Sequence, residues 1–265
     1  MEYKIGQGRT ATVYERDGRA IKVFNEGFPY SYIKREYDYG KLAFENRADV
    51  PEVFGISKKD GLDYIEYELI DGKTMEEMLI EDSSKAIQYA KIFAKIQSNI
   101  HTIKLERDDF EEFFIKRIGY IKEFDQEKID YIIKYAKSLN RHISLCHGDF
   151  HPGNIMFSED KTYIFDWMLG NSSNPLSDVC RTYLMLKTPL AYMSVPKEAR
   201  EDVKGILSIF LKIYLDEYSK INNTNTSEIF KWLLPMASLR LLEHIPYEKE
   251  WLLNIIDEEI KKMSK

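Results

Sequence analysis

One stretch decides the fold of this chain: Cys146-His147-Gly148-Asp149-Phe150-His151-Pro152-Gly153-Asn154-Ile155-Met156-Phe157. Two short apolar runs, 143–146 and 155–157, bracket a polar turn with two histidines, an aspartate, an asparagine, two glycines and a proline. Apolar runs on either side of such turn residues predict a hairpin that presents polar side chains at its tip. A third apolar run ends in Asp166, so Asp149, Asn154 and Asp166 are expected to converge at the ends of adjacent strands.

The oxygen-bearing side chains of this stretch suggest a metal and a separate catalytic group. Asn154 and Asp166 suit magnesium, which keeps much of its own water and binds a few protein oxygens together with phosphate. Asp149 precedes Asn154 by the spacing of a kinase catalytic loop, where the aspartate positions the attacking hydroxyl and the asparagine holds metal. The alternative is a polar hairpin in which Asp149 and Asn154 only stabilise turns. Asp166 follows in register and favours the catalytic interpretation.

The octapeptide 147–154, His-Gly-Asp-Phe-His-Pro-Gly-Asn, resembles the signature of the aminoglycoside phosphotransferase and choline kinase-like family, relatives of protein kinases that phosphorylate small molecules. The resemblance implies a two-lobed, protein-kinase-like α+β fold with nucleotide between the lobes. A small antiparallel sheet would form an N-terminal nucleotide-binding lobe (1–70), and a larger, mainly helical lobe (71–265) would carry catalysis and substrate binding. It also implies ATP and magnesium (Mg2+) as cofactors, Asp149 as the catalytic residue, and Asn154 and Asp166 as metal ligands.

The first strands carry a second candidate phosphate-binding signal. Residues 2–24 predict three strands joined by turns, and Gly6 and Gly8 lie at the first turn. Glycine lets the backbone approach a phosphate closely, so this segment could cover a nucleotide. A plain hairpin turn is the alternative, and Ala11 stands where protein kinases place a third glycine.

A lysine and a glutamate follow at a separation typical of these folds. Lys22 lies in the apolar strand 20–24, and Glu36 lies fourteen residues later in a helix predicted from Ser31 to about Asn46. The resemblance implies that Lys22 contacts nucleotide phosphates and that Glu36 holds it by an ion pair. A solvent-facing lysine and a solvated helix glutamate are the alternatives.

The segment after the last predicted strand of the sheet resembles the connection between the lobes. Tyr67 would be the gatekeeper beside the nucleotide, and the main chain of Glu68 and Ile70 would hydrogen-bond the base. The bulk of Tyr67 favours ATP over GTP. A core strand that ends in a turn fits the same residues.

Apolar residues at helical spacing predict that the rest of the chain is mainly helical. His101 lies on an apolar helix face, so a core histidine is expected there rather than a ligand. Asp178 follows a predicted loop at 170–175 and resembles a structural aspartate that braces the catalytic loop. The predicted helices cover residues 84–102, 110–120, 126–140, 201–219, 230–244 and 251–263.

Composition limits the partners. The 265 residues carry a net charge of −6, which argues against nucleic acid or anionic membrane as a partner. No apolar run of about eighteen residues predicts a membrane span. Cys146 and Cys180 lack metal-ligand spacing, so a reduced cytoplasmic protein is expected. The oligomeric state is not indicated.

The expected acceptor is a hydroxyl group of a small molecule: an aminoglycoside, a choline-like alcohol, an amino sugar or a related metabolite. Two alternatives remain. A protein serine/threonine kinase is disfavoured by Gly148, which replaces an arginine, and by the short distance from Asp166 to Asp178. A catalytically silent nucleotide-binding module is the other. The candidate carboxylates for a cationic acceptor are Glu243, Asp257, Glu258 and Glu259.

Overall fold

A computed structural model describes residues 2–159, 161–193 and 195–263. The described chain forms two compact units, one of residues 2–81 and 147–170 and one of residues 82–146 and 171–263. The segment with the octapeptide therefore folds with the N-terminal part. The lobe boundary after residue 70 stays a prediction.

The elements are numbered in chain order. The strands are β1 (Glu2–Gln7), β2 (Ala11–Arg16), β3 (Arg19–Phe24), β4 (Val53–Lys59), β5 (Leu62–Glu68), β6 (Lys73–Thr74), β7 (Ser144–Cys146), β8 (Ile155–Phe157), β9 (Thr162–Ile164) and β10 (Asn171–Ser173). The helices are α1 (Tyr30–Glu45), α2 (Met75–Glu81), α3 (Ala86–His101), α4 (Lys116–Ile118), α5 (Gln126–Ser138), α6 (Pro175–Lys187), α7 (Leu190–Met193), α8 (Arg200–Ile221), α9 (Thr226–Phe230), α10 (Leu233–Leu241) and α11 (Lys249–Met263).

Strands β1 to β5 form an antiparallel sheet in the order β1-β2-β3-β5-β4. Two of its hairpins turn through an Asp-Gly pair, at 17–18 and at 60–61, with positive φ at both residues. Such pairs favour the tight turn whose twist matches that of the strands, so they fix the register. The three strands predicted over residues 2–24 are confirmed.

Helix α1 packs its apolar side onto this sheet. It buries Ile33, Tyr39 and Ala43, and Ile33 joins a core cluster with Phe24 and Ile65 of the sheet. The helix predicted from Ser31 is thus confirmed. Its buried face also carries Glu36, a charged side chain in an otherwise apolar environment.

The hairpin predicted around the octapeptide is wrong. β7 pairs with β10, whereas β8 pairs with β6 and β9. The predicted loop at 170–175 therefore contains a strand, Asn171–Ser173, and all three of its residues are buried. Runs of three residues do not specify a partner, and burial overrides the low strand propensity of asparagine.

The second unit is mainly helical. Helix α3 packs against α8, and α10 packs against α11. Within the helix predicted over residues 110–120, Phe110–Ile115 form a π-helix that continues into α4. Among the described residues, the helices are too short or too polar to cross a lipid bilayer.

His101 is a core histidine, as predicted. The Tyr218 hydroxyl lies 2.7 Å from its Nδ1, and the Asp178 carboxylate lies 3.1 Å from its Nε2. Asp178 also accepts a hydrogen bond from Gln97 at 3.0 Å. A buried carboxylate with several hydrogen bonds stabilises the packing of α3 against α6 and α8.

Candidate active site

The pairing of β8 with β9 brings the two predicted metal ligands together. Ile155 pairs with Ile164, so Asn154 and Asp166 lie just outside the same end of the strand pair. The Phe165 amide donates to the Asn154 carbonyl at 3.2 Å and holds the two chain segments together. The expected convergence of these two residues at adjacent strand ends is confirmed.

Asn154 also fixes the loop that carries Asp149. Its Nδ2 donates to the Asp149 carbonyl at 2.9 Å and lies 3.5 Å from Asp149 Oδ2. Because Nδ2 is used in this way, Oδ1 is the amide atom left to bind a cation. The side chain of Asp149 is about a third exposed, so it is accessible to an acceptor.

His147 connects the Asp149 loop to the strand that ends at Asp166. Its Nδ1 accepts the Asp149 amide at 3.2 Å, and its Nε2 donates to the Phe165 carbonyl at 3.0 Å. The ring packs on Trp167 with 4.5 Å between centroids. His147 therefore acts as a scaffold that connects the two segments.

Gly148 is required by this connection. Its φ is +77°, and a Cβ at this position would lie 2.1 Å from the Leu169 carbonyl oxygen. Any L-residue would be strained by the backbone conformation and would also collide with main chain. The segments at 148 and 169 are thus in direct backbone contact.

Asp166 adopts a left-handed backbone conformation, with φ 67° and ψ 61°. This conformation costs a non-glycine residue of order 1–3 kcal/mol and is concentrated at functional sites. Lys22 contacts the Asp166 carboxylate at 3.0 Å. Burial alone would raise the pKa of Asp166, but the charge and hydrogen bond of Lys22 outweigh it and lower the pKa.

Lys22 is bound by two carboxylates. Its Nζ donates to Glu36 Oε1 at 2.6 Å and to Asp166 Oδ1 at 3.0 Å. Burial would lower the pKa of Lys22, but Asp166 and Glu36 together raise it above its ordinary value. The ammonium group therefore stays charged, and one of its three N–H groups has no hydrogen-bond acceptor among the residues that the structure describes.

Tyr67 also contacts Glu36, which the sequence did not indicate. Its hydroxyl donates to Glu36 Oε1 at 2.9 Å, the same oxygen that Lys22 contacts. Glu36 Oε2 is buried and has no hydrogen bond to the residues that the structure describes. Burial raises the pKa of Glu36, and Lys22 offsets part of that effect.

Tyr67→Phe is expected to lower the free energy of unfolding by about 1.5–3 kcal/mol, the range for a hydrogen bond to a charged group. The substitution leaves the ring in place and removes one of the two donors to Glu36. Urea unfolding measures the difference. The matched control is Tyr64→Phe on the same strand, because the Tyr64 hydroxyl makes no hydrogen bond to the described residues. Equal stability of the two variants would contradict a stabilising role of the Tyr67 hydroxyl.

Gly6 and Gly8 are not needed by the fold of the first hairpin. The Gly8 amide donates to the Ala11 carbonyl at 2.9 Å. A Cβ would meet its nearest neighbours at 3.7 Å at Gly6 and 3.8 Å at Gly8, and neither residue has positive φ. Among the described residues, no neighbour is close enough to require a glycine at either position. The close approach of a ligand is therefore a candidate reason for the two glycines.

The predicted base-binding segment has one main-chain donor already in use. The Glu68 amide donates to the Glu52 carbonyl at 2.9 Å, in the pairing of β4 with β5. Glu68 could thus offer a nucleotide base only its carbonyl oxygen. A contact between a base and the main chain of Ile70 stays a prediction.

The carboxylates suggested for a cationic acceptor mostly have cationic partners of their own. Glu243 pairs with Arg181 at 2.6 Å. Asp257 pairs with Lys128 and Glu259 with Lys262. These carboxylates are thus less available to an external cation than their sequence suggested.

The chain is similar to curated proteins over part of its length. Protein LicA of Haemophilus influenzae is 22% identical over 159 residues, which are 56% of this chain and 59% of that protein. A second LicA from this species is 23% identical, and the match covers 47% of it. The chain thus spans about half the length of the curated relatives it matches.

Solved structures with this fold cover nearly the whole chain. A thermostable mutant of aminoglycoside phosphotransferase APH(4)-Ia in apo form has a TM-score of 0.65 at 12% identity, covering 99% of this chain and 94% of its own. A complex of that enzyme with AMP-PNP and hygromycin B gives 0.55 at 15%, covering 98% and 93%. A putative fructosamine-3-kinase from Haemophilus somnus 129PT gives 0.64 at 16%, covering 97% and 90%.

A choline kinase from Cryptosporidium parvum Iowa II gives a TM-score of 0.56 at 14% identity, covering 100% of this chain and 89% of its own. These likenesses confirm the predicted protein-kinase-like α+β fold. The model of the phosphotransferase enzyme family matches residues 4–202, which is well over half of the chain. This chain therefore belongs to the phosphotransferase enzyme family.

Proposed function

We propose that this protein transfers the terminal phosphoryl group of ATP to a hydroxyl group of a small molecule, with magnesium. The observation that carries the proposal is the ion-pair chain Glu36–Lys22–Asp166, in the same compact unit as Asp149 and Asn154. A buried lysine between two carboxylates is a costly arrangement for stability alone, because each charge loses hydration. Such arrangements are typical of functional sites.

Lys22 would neutralise phosphate charge. Its contacts with Glu36 and Asp166 fix the ammonium group in place and keep it protonated. The remaining N–H is a charged donor that needs no rearrangement when phosphate oxygens approach. Preorganised donors of this kind stabilise developing charge, which is the main task of a protein in phosphoryl transfer.

Asp149 would orient the acceptor hydroxyl and take its proton. As the hydroxyl oxygen forms its bond to the terminal phosphorus, the bond from that phosphorus to the bridging oxygen breaks and ADP leaves. The Asn154 side chain donates to the Asp149 carbonyl, and the Asp149 amide donates to His147, so both hydrogen bonds position the residue through its main chain.

The residues at the end of β8 and β9 fit a magnesium ion. The amide oxygen of Asn154 and the second carboxylate oxygen of Asp166 are hard oxygen ligands, which magnesium prefers. When bound, the ion would neutralise the phosphate oxygens. No sulfur or imidazole ligand is needed for this assignment.

The base is proposed to be adenine. With its amide occupied by Glu52, Glu68 presents only a carbonyl acceptor. The 6-amino group of adenine can donate to a carbonyl, whereas the O6 of guanine is itself an acceptor and would be repelled. Gly6 and Gly8 would then leave room for the phosphates, and Tyr67 would act through Glu36.

The acceptor class is an aminoglycoside, a choline-like alcohol, an amino sugar or a related metabolite. Similar folds occur in proteins described as an aminoglycoside phosphotransferase, a fructosamine-3-kinase and a choline kinase, and one was solved with AMP-PNP and hygromycin B. These likenesses support a hydroxyl-bearing small molecule as the acceptor.

An assay of ADP release across these acceptors and a generic protein substrate tests the proposal. Acceptor-dependent release is expected with ATP and magnesium, and loss of release is expected when EDTA removes the metal or GTP replaces ATP. Phosphorylation of the protein substrate alone would indicate a protein kinase. A rise in melting temperature with ATP and magnesium, without turnover, would indicate a silent nucleotide-binding module.

A further inference from the structure

The ring of His151 is held in one orientation beside Asp149. Its Nδ1 accepts the Gly153 amide at 3.1 Å. Gly153 packs closely on the ring, because a Cβ there would lie 2.8 Å from His151 Cε1 and 2.8 Å from Glu76 Oε2. The turn that follows the histidine thus selects the position of the imidazole.

The same hydrogen bond fixes where the ring proton lies. A nitrogen that accepts an N–H carries no proton of its own, so the neutral ring is protonated at Nε2. Nε2 lies 3.9 Å from Asp149 Oδ2, which is beyond hydrogen-bond distance. Among the described residues, the Nε2–H of His151 therefore has no acceptor, and the side chain is about a third exposed.

His151 also lies in the same turn as the proposed metal ligand Asn154. The Asn154 amide donates to the His151 carbonyl at 2.9 Å, and Asn154 Nδ2 donates to the Asp149 carbonyl at 2.9 Å. One hydrogen-bonded turn therefore carries the imidazole, the proposed base and a proposed metal ligand. If acceptor, phosphoryl group and metal bind to Asp149 and Asn154 as proposed, a donor on His151 lies beside them.

We propose that the Nε2–H of His151 donates a hydrogen bond to a peripheral oxygen of the phosphoryl group during transfer. This inference rests on the proposed function and adds a catalytic residue to it. His151 keeps its proton throughout: the acceptor proton goes to Asp149, and the electron pair of the broken bond leaves with ADP. A donor is useful there because the loose transition state spreads charge over the peripheral oxygens.

The test compares His151→Leu with His151→Gln. The leucine variant has no donor, whereas the glutamine amide can place an N–H close to the position of the imidazole Nε2–H. Binding of magnesium–ADP is measured with and without aluminium fluoride, which mimics the phosphoryl group in transfer. For His151→Leu we expect an unchanged dissociation constant for magnesium–ADP and a fluoroaluminate complex weakened about 10- to 100-fold, as for a lost hydrogen bond to a charged group.

Turnover gives the second readout. The kcat of His151→Leu is expected to fall by a similar factor while the KM for ATP changes less than about threefold, and His151→Gln is expected to recover most of the loss. His142→Leu, at an exposed histidine of the second unit, is the matched control.

Equal fluoroaluminate binding in His151→Leu and wild type would overturn the inference and leave the proposed function standing. The inference would also be overturned if His151→Leu lost as much affinity for magnesium–ADP without aluminium fluoride as with it. Such a result would show that His151 has a structural role. Failure of wild type to bind magnesium–ADP and to turn over any acceptor would instead reject the proposed function, and the inference with it.

Discussion

Asp149→Asn is expected to lower turnover by about two to four orders of magnitude, the range of a positioned acid–base group. Asparagine has nearly the same shape but cannot take the proton of the acceptor hydroxyl. The loop should keep its conformation, because the hydrogen bonds from Asn154 and to His147 involve the Asp149 main chain. The kcat at saturating ATP and acceptor measures the effect.

Two controls make the Asp149 result specific. The dissociation constant for ATP and the melting temperature of Asp149→Asn should remain close to wild type. Asp216→Asn, on an exposed turn of α8 where Asp216 pairs with Lys212, should retain full turnover. Near-normal turnover of Asp149→Asn would reject Asp149 as the proton acceptor and would leave the metal ligands unaffected.

Lys22→Met is expected to affect both catalysis and folding. Loss of the charged donor should lower kcat/KM for ATP by about 10²–10³, the range for one preorganised donor at developing charge. It should also lower the free energy of unfolding by about 3–5 kcal/mol at pH 8, because Glu36 loses the partner of a buried ion pair. Methionine retains the length of the side chain, so packing changes little.

The stability loss in Lys22→Met should depend on pH. Without the lysine, the pKa of Glu36 rises further above its ordinary value of 4.5, because burial is no longer offset. A group whose pKa is raised by folding stabilises the folded state below its unfolded pKa and loses that contribution as the pH rises through its folded pKa. The destabilisation relative to wild type should therefore be smaller at pH 5 than at pH 8.

Urea unfolding of wild type, Lys22→Met and Lys34→Met at both pH values tests this expectation. Lys34 forms an exposed ion pair with Asp38, so its removal should cost less than about 1 kcal/mol and show little dependence on pH. A loss in Lys22→Met that is equal at both pH values would show that Glu36 does not take up the proton.

The parts of the site that are local in sequence could be predicted. The glycine and histidine residues of the octapeptide determine the conformation of the Asp149 loop. The Asp-Gly turns determine the register of the strands around Lys22. The fourteen-residue separation of Lys22 and Glu36 corresponds to a strand, a short turn and a first helical segment, and the structure joins them at 2.6 Å.

The parts that depend on distant partners could not be predicted. β7 pairs with a segment about 25 residues later whose Asn-Ser-Ser sequence is typical of a loop. The hydroxyl of Tyr67 reaches Glu36 across 31 residues, and this contact depends on side-chain rotamers in the folded core. The ion pair between Glu243 and Arg181 joins residues 62 positions apart and leaves no pattern in the sequence. From the sequence alone, Glu243 is therefore a candidate for binding a cationic acceptor.

The backbone contact between Gly148 and Leu169, together with the His147–Phe165 hydrogen bond, couples the Asp149 loop to the segment that carries Asp166. A compound that displaces Asp166 would also have to displace the Asp149 loop or break the hydrogen bond between His147 and the Phe165 carbonyl. Inhibitors that require such a displacement should therefore bind this protein weakly. Compounds that bind the loops in the conformation that the structure shows, and that accept a hydrogen bond from His151 Nε2, require no such rearrangement.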